Sequence, residues 1–305
     1  MNRKNWGAGV NGFRRQLPLH LMILPAIVVT AIFAYVPLFG LVMAFQDYVP
    51  ALGFFGSEFV GFENFVRLFN TRGSGRIIWN TFYISFLKMV AGQVVPILLA
   101  LLLNEITCSP LKRSVQTILY LPHFLSWVIL GGILKDFLAL DGLLNQMLGV
   151  VGIGPIAFLG SNDVFPYTLV VTDLWQNAGF NTIIFLAAIT NVNPDLYESA
   201  KVDGAGRFRC CIHVTLPAMV PIIVLSCTLA LGNLFQAGFD QVYNLYNVSV
   251  MESGDIIDTF IYRIGIKSQQ YSLGTAIGLF KSVISLIFVS ASYYMAYKFS
   301  DYRIF

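Results

Sequence analysis

Asn193-Pro194-Asp195-Leu196-Tyr197-Glu198-Ser199-Ala200-Lys201-Val202-Asp203-Gly204-Ala205-Gly206-Arg207-Phe208-Arg209, followed by Thr215-Leu216-Pro217, is a polar island in an apolar chain. Pro194 suits the first turn of a helix, where a missing N–H leaves no bond unmade. Asp195 and Glu198 put negative charge near that helix's N-terminus, which favours its dipole. Gly204 and Gly206 can end the helix and permit a sharp turn. Leu216-Pro217 marks re-entry into an apolar span, because the residue before a proline is pushed out of the helical region. Ser199, Ala200, Gly204 and Ala205 are small enough to let another backbone approach. The spacing predicts a short helix, held across the ends of two spans within residues 191–217.

Outward from this island the chain is apolar. Of its 305 residues 56% are hydrophobic and 11% charged, with a mean hydropathy of +0.71. Soluble domains carry about 25% charged residues, so an ordinary soluble enzyme is a poor fit. A net charge of +3 gives no electrostatic footprint for nucleic acid. Six apolar stretches stand out, at about 19–45, 78–104, 115–138, 164–190, 218–240 and 272–297. Each is long enough to cross a ~30 Å hydrocarbon core at ~1.5 Å per residue. The expected fold is an all-α polytopic membrane protein with six transmembrane helices. Its parts are an N-terminal segment at 1–18, a first span and external loop at 19–77, a five-span core at 78–298 and a tail at 299–305. The first stretch follows Arg3, Lys4, Arg14 and Arg15 and is too long for a signal-peptide core. It reads as a retained span.

Loop charge sets the expected orientation. Lys112, Arg113, Lys201, Arg207, Arg209, Lys298 and Arg303 join the four N-terminal cations on one face. The other face holds only Arg67, Arg72, Arg76, Arg263 and Lys267, with acids in every loop: Asp47, Glu58 and Glu63; Asp141 and Asp163; Glu252, Asp255 and Asp258. The excess of basic residues puts both termini in the cytoplasm. In the first external loop, Phe62, Phe65, Val66 and Phe69 fall at helical spacing. They predict a short helix on the outer membrane surface, or packed on its own bundle.

No G-x-x-x-x-G-K-[ST] phosphate loop, G-x-S-x-G or H-E-x-x-H occurs, so ATP hydrolysis by the phosphate-loop route is not expected of this chain. The cysteines, Cys108, Cys210, Cys211 and Cys227, show no metal or redox spacing. His20, His123 and His213 lie on separate segments, and no metal site is expected.

The polar island resembles the "EAA" loop of ABC importer permeases, E-A-A-x-x-x-G followed by L-P. Glu198, Ala200, Asp203, Gly204, Ala205, Leu216 and Pro217 match, and Ser199 replaces the first alanine with another small residue. Phe59 to Phe69 is similar to the "F-V-G-x-x-N-F" segment after the first span of carbohydrate-importer permeases. Asn80-Thr81, Gly142 with Asn145, and Trp175 with Gly179 are similar to that group too. Leu102 to Glu105, Tyr120 to Phe124, Gly204 to Arg209 and Ile277 to Ile284 resemble its oligosaccharide and polysaccharide branch, such as LplB-type and alginate-importer permeases. The resemblance covers roughly residues 35–305. It implies a type I importer permease in the bacterial inner membrane, paired with a second homologous permease. It also implies two ATPase subunits, which bind ATP and magnesium, and an external solute-binding protein; no cofactor is implied in this chain. Glu198, Ser199, Ala200, Asp203, Gly204, Ala205 and Arg207 then become the candidates for ATPase coupling. Oligosaccharides are the implied cargo, with uronate-rich ones such as alginate or pectin fragments among them.

Polar residues inside the spans are the candidates for a substrate path. Asp173, Asn177 and Asn181 recur at i, i+4 and i+8, with Gln176 beside them. Asn233, Gln236 and Asp240 recur at i, i+3 and i+7, with Asn244 beyond. Asn, Gln and Asp can hydrogen-bond sugar hydroxyls, and Trp127, Trp175, Phe235 and Tyr243 offer ring faces. The same groups would serve as glue between helices, and both readings stand. Lys88 and Lys281 are lone charges inside spans, expected to pair with Asp173 or Asp240 or to meet an anionic substrate. An ion- or proton-coupled carrier, with these acids and lysines as its relay, is the alternative function; it has no need of the loop at 191–217.

Overall fold

The computed structural model describes the backbone of residues 9–299 and the side chains of residues 17–294. The ends of the expected terminal segments lie outside those residues, as do the side chains of Arg3, Lys4, Arg14, Arg15, Lys298 and Arg303.

The regular secondary structure of the described residues is helical apart from a two-residue ladder, Gln46–Asp47 (β1) with Glu58–Phe59 (β2), antiparallel in the register Gln46 to Phe59. Helix α1, Gly9–Thr30, runs on through a π-turn and a 3₁₀ stretch to Phe45. After α2 (Gly53–Gly56), α3 (Glu63–Asn70) is the short helix that the first external loop predicts. Asn64 pins it: its amide donates to the Ala44 and Gln46 carbonyls at 3.0 and 2.9 Å. Phe62, Val66 and Phe69 on its apolar side stay exposed.

Helix α4 (Ser74–Glu105) and helix α8 (Phe165–Thr190) form the most extensive helix pair. Between them lie α5 (Ser109–Tyr120), α6 (Trp127–Phe137) and α7 (Leu143–Val150). Helix α9 (Pro194–Val202) and α10 (Arg207–Cys210) follow, and α10 continues into α11 (Leu216–Gly232). Next come α12 (Phe239–Leu245), α13 (Met251–Gly254) and α14 (Ile257–Ile261), and then α15 (Tyr271–Phe299).

Four helices are long and apolar enough to cross a membrane: Leu17–Phe45, Ser74–Glu105, Arg207–Gly232 and Tyr271–Tyr294. A fifth candidate is the pair Ser109–Phe124 and Trp127–Phe137, bent by 105°. The expected straight span at 115–138 is therefore broken. Pro122 sits in a 3₁₀ turn there, and Ser126 caps α6 by accepting the Ile129 N–H at 3.4 Å. Helix α8 has the length of a span, and its Asp, Gln and Asn residues lower its hydropathy.

A second correction concerns 218–240. The helix starts earlier, at Arg207, and ends at Gly232; residues 233–238 are not helical, and α12 begins at Phe239. Asn233, Gln236 and Asp240 thus share no single helical face. Their periodicity was a coincidence of spacing across a chain break.

Three buried clusters hold the bundle together. Ile84, Leu130, Phe165, Leu169 and Leu245 anchor one end. Ile77, Phe235, Phe260 and Ile277 bind α4 and α14 to α15. Ala100, Phe185, Ile189 and Met219 join α4, α8 and α11 near the island at 193–217. The first span buries none of its apolar window within the chain; at about 25 cal/mol per Å², that surface needs lipid or another subunit.

Candidate functional site

Two chain breaks decide what the intramembrane polar residues do. A carbonyl freed from a helix inside an apolar body must find another donor, because leaving it unpaired costs several kcal/mol. At the break between α5 and α6 the free carbonyl is Leu125, and Gln176 of α8 donates to it at 2.9 Å. At the break after α11 it is Ala237, and the Lys88 ammonium donates to it at 2.7 Å.

From these two clamps a continuous polar network runs across α4, α8 and α12. The Lys88 ammonium also donates to Oε1 of Gln241 and lies 3.6 Å from the Asp173 carboxylate. Gln241 in turn donates to the Leu169 carbonyl and the Thr172 hydroxyl, both at 2.7 Å. Asn177 donates to Asp173 at 3.4 Å and to Gln176 at 3.2 Å. Its Oδ1 meets Nδ1 of His123 at 3.0 Å, and the His123 ring stacks on Phe180 at 4.0 Å. Asp173, Gln176, Asn177 and Lys88 are thereby brought together. Lys281 is not; it pairs with Asp258 of α14 at 2.5 Å.

Asn181 and Asn233 line a separate cavity of 480 Å³ between α4, α8 and α11, together with Gln93, Phe180 and Ser226. Ser226 donates to Oε1 of Gln93 at 2.9 Å. The cavity offers amides, a hydroxyl and an aromatic ring, which suits a polyhydroxylated ligand better than a bare ion. Gln236 and Asp240 are exposed, and neither lines this cavity. His123, Gln93, Ser226 and Gln241 join the site from outside the residues that the sequence singles out for a substrate path. For Gln93 the signal was present, a lone amide in a long apolar run. For His123 it was proximity to Phe180, which is invisible along the chain.

Close approach fixes the frame of this site at Gly179. A Cβ there would fall 2.1 Å from the Leu119 carbonyl oxygen, so α5 and α8 touch backbone to backbone. Close approach recurs at Gly274, where a Cβ would fall 2.7 Å from the Gly265 Cα.

The island at 193–217 forms a self-contained joint. Asn193 caps α9 by accepting the Asp195 N–H at 3.1 Å, with Pro194 at the first helical position. Gly204 adopts φ +77°, and the Gly204 and Ala205 N–H groups return to the Lys201 and Ala200 carbonyls at 3.0 and 2.9 Å. This is the left-handed cap that glycine takes at least cost. Ser199 donates to the Asp195 carbonyl at 2.8 Å, and Arg207 lies 4.0 Å from Glu105. Tyr197 bonds Thr215 at 2.9 Å, tying α9 to the start of the next span. Glu198 and Asp203 make no side-chain hydrogen bond or ion pair with any described residue. Leu196, Val202 and Phe208 are exposed beside them. Lys201 and Arg209 are exposed on it as well, so the joint presents an open face of mixed apolar and charged character. Beneath it lies a 440 Å³ cavity lined by Asn191, Asn193, Leu196 and Ala218. Among the described residues no group of His, Cys, Asp or Glu could hold a metal ion.

Known proteins match both sequence and fold. The family described as "Binding-protein-dependent transport system inner membrane component" matches residues 92–304. The Bacillus subtilis (strain 168) polygalacturonan/rhamnogalacturonan transport system permease protein YteP is 43% identical, over 95% of this chain and 91% of its own length. Protein LplB of the same organism is 38% identical, over 98% and 95%. A chain from the crystal structure of a bacterial ABC transporter involved in import of the acidic polysaccharide alginate superposes with a TM-score of 0.87. It is 38% identical, with 95% of this chain and 98% of that one covered. With the broken spans, the clamped polar network and the open joint at 193–217 in view, the chain belongs to the binding-protein-dependent inner-membrane permeases of ABC importers.

Proposed function

We propose that this chain is the permease subunit of an ATP-driven oligosaccharide importer, forming half of its translocation path beside a second, homologous permease. The observation that carries this reading is the joint at 193–217: a capped helix, tied to the next span through Tyr197 and Thr215, with an open face of charged and apolar residues. A partner ATPase would grip that face through Glu198, Asp203 and the neighbouring Leu196 and Val202. Closure of the ATPase dimer on ATP would then drag α9, and with it α8 and α11, between two arrangements of the cavity. This is a bistable element biased by a ligand bound elsewhere.

In this reading α8 is the sixth span, together with the four long apolar helices and the bent pair. Both termini lie on the cytoplasmic side, in the bacterial inner membrane, and an external solute-binding protein docks at the opposite end. Acidic cargo is favoured by the names of the similar proteins, polygalacturonan/rhamnogalacturonan in one and alginate in another. Asn181, Asn233 and Gln93 would meet sugar hydroxyls in the 480 Å³ cavity, with Phe180 under a ring face. ATP and magnesium would be held by the two ATPase subunits.

The test is Gly204→Leu. A side chain at φ +77° strains the cap, and its bulk enters the face offered to the ATPase. The assembled importer should hydrolyse ATP without moving sugar. Normal uptake by an assembled Gly204→Leu importer would count decisively against the reading.

A further inference from the structure

At the end of α8 away from the joint lies another pocket, of 390 Å³, that the translocation reading does not use. Lys135, Lys267, Tyr243, Tyr246, Asn244 and Asn247 line it. Helix α8 is 26 residues long, so about 39 Å separates this end from the joint.

Charge is the unusual feature. Arg67, Arg76, Arg263 and Lys281 on this part of the molecule each hold a carboxylate, whereas Arg72, which does not line the pocket, holds none among the described residues. Lys135 and Lys267 hold none among the described residues. The Lys267 ammonium instead sits over the Tyr243 and Tyr262 rings, 5.6 and 5.4 Å from their centroids. Tyr243 is braced by Phe239, stacked at 5.3 Å, and by Tyr262, edge-on at 5.0 Å. Asn247 is fixed by bonds to the Leu159 carbonyl and the Ser249 N–H. Asn244 spends its amide N–H₂ on the Asp240 carbonyl and keeps its oxygen free to accept a hydroxyl. Two ammonium groups without a carboxylate, braced phenol rings and a free amide oxygen meet in one concavity. A neutral sugar would need the amide but neither charge.

We infer that this pocket is an entry subsite for an anionic saccharide, in which Lys135 and Lys267 pair with uronate carboxylates while the Asn244 amide oxygen accepts a sugar hydroxyl. The inference rests on the importer reading above and deepens it: acidity of the cargo is sensed at the mouth, before the spans. The electrostatic attraction acts on entry, and it weakens with salt because both lysines are exposed.

The test uses the complete importer in proteoliposomes, with its binding protein loaded with an oligogalacturonate. The double variant K135Q/K267Q is compared with K135R/K267R, which keeps both charges and controls for folding. Two quantities are read: sugar imported per ATP hydrolysed, and the binding-protein concentration that half-saturates ATPase stimulation. K135Q/K267Q should import about three- to tenfold less sugar per ATP, with K135R/K267R near wild type. The half-saturating concentration should not change. Unchanged import per ATP in K135Q/K267Q overturns the subsite. A raised half-saturating concentration with normal import per ATP also overturns it, and assigns the lysines to binding-protein docking. Failure of the wild type to import the oligogalacturonate with ATP overturns the subsite and the acidic-cargo reading together.

Discussion

Replacing Lys88 by methionine removes the ammonium from the centre of the polar network and keeps the length of the side chain. The Lys88 side chain is 9% exposed and Asp173 27%. Three acceptors lose their donor: the Ala237 carbonyl, Oε1 of Gln241 and the Asp173 carboxylate. A buried acceptor left unpaired costs about 1–3 kcal/mol, and breaking a buried ion pair costs about 3–5 kcal/mol. Asp173 can recover some water through its exposed part, which puts Lys88→Met at the lower end, about 3 kcal/mol. Asp173→Asn should cost less, about 1 kcal/mol, because the ammonium keeps both neutral acceptors. The double variant should be more stable than the sum of the single losses by about 1 kcal/mol, since neither charge is then stranded. Equilibrium unfolding of the permease by SDS in mixed micelles reads these differences through Trp127 and Trp175, on α6 and α8. The reasoning is refuted if Lys88→Met lies within about 0.5 kcal/mol of wild type, or if the two substitutions simply add.

Two further outcomes follow from the same geometry. Gln176→Leu should destabilise by about 1–3 kcal/mol by leaving the Leu125 carbonyl unpaired, and faster hydrogen exchange at residues 121–130 should report the loosened break. Gly179→Ala should lower the yield of folded permease, because its Cβ would fall 2.1 Å from the Leu119 carbonyl oxygen; a normal yield with an unshifted unfolding midpoint would show that α5 and α8 can separate without cost.

What could be read from the sequence was local. Pro194, Asp195 and Gly204 settle both ends of α9 within a dozen residues, so the helix and its closing turn are legible in the sequence, whereas the re-entry expected at Leu216-Pro217 falls inside the helix that starts at Arg207. The helix at Glu63–Asn70 was legible for the same reason. The motif asparagines were recognisable, but their use was not: Asn64 clips α3 to the end of the first span, Asn80 holds the Glu252 carbonyl, and Asn145 holds the Ala139 and Ile156 carbonyls. Each acts on backbone outside its own helix, from 6 residues away for Asn145 to 172 for Asn80. The chain breaks at 125–126 and 233–238 were hidden because apolar run length carries no record of where a carbonyl leaves its helix. Whether a break is tolerated depends on Gln176 and Lys88, which approach from other helices. The regular spacing of Asn233, Gln236 and Asp240 misled for that reason, whereas Asp173, Asn177 and Asn181 lie on an unbroken helix, where spacing does report a face.

The central claim is that this permease moves sugar by work delivered through α9 from a partner ATPase. The most direct measurement is uptake of a labelled oligogalacturonate into proteoliposomes holding this chain with its partner permease, ATPases and binding protein. Uptake should require ATP and the ATPase subunits, and it should be lost when those subunits are omitted, whatever the proton gradient. Accumulation driven by a proton gradient alone would contradict the account, and would return Lys88 and Asp173 to consideration as a proton relay.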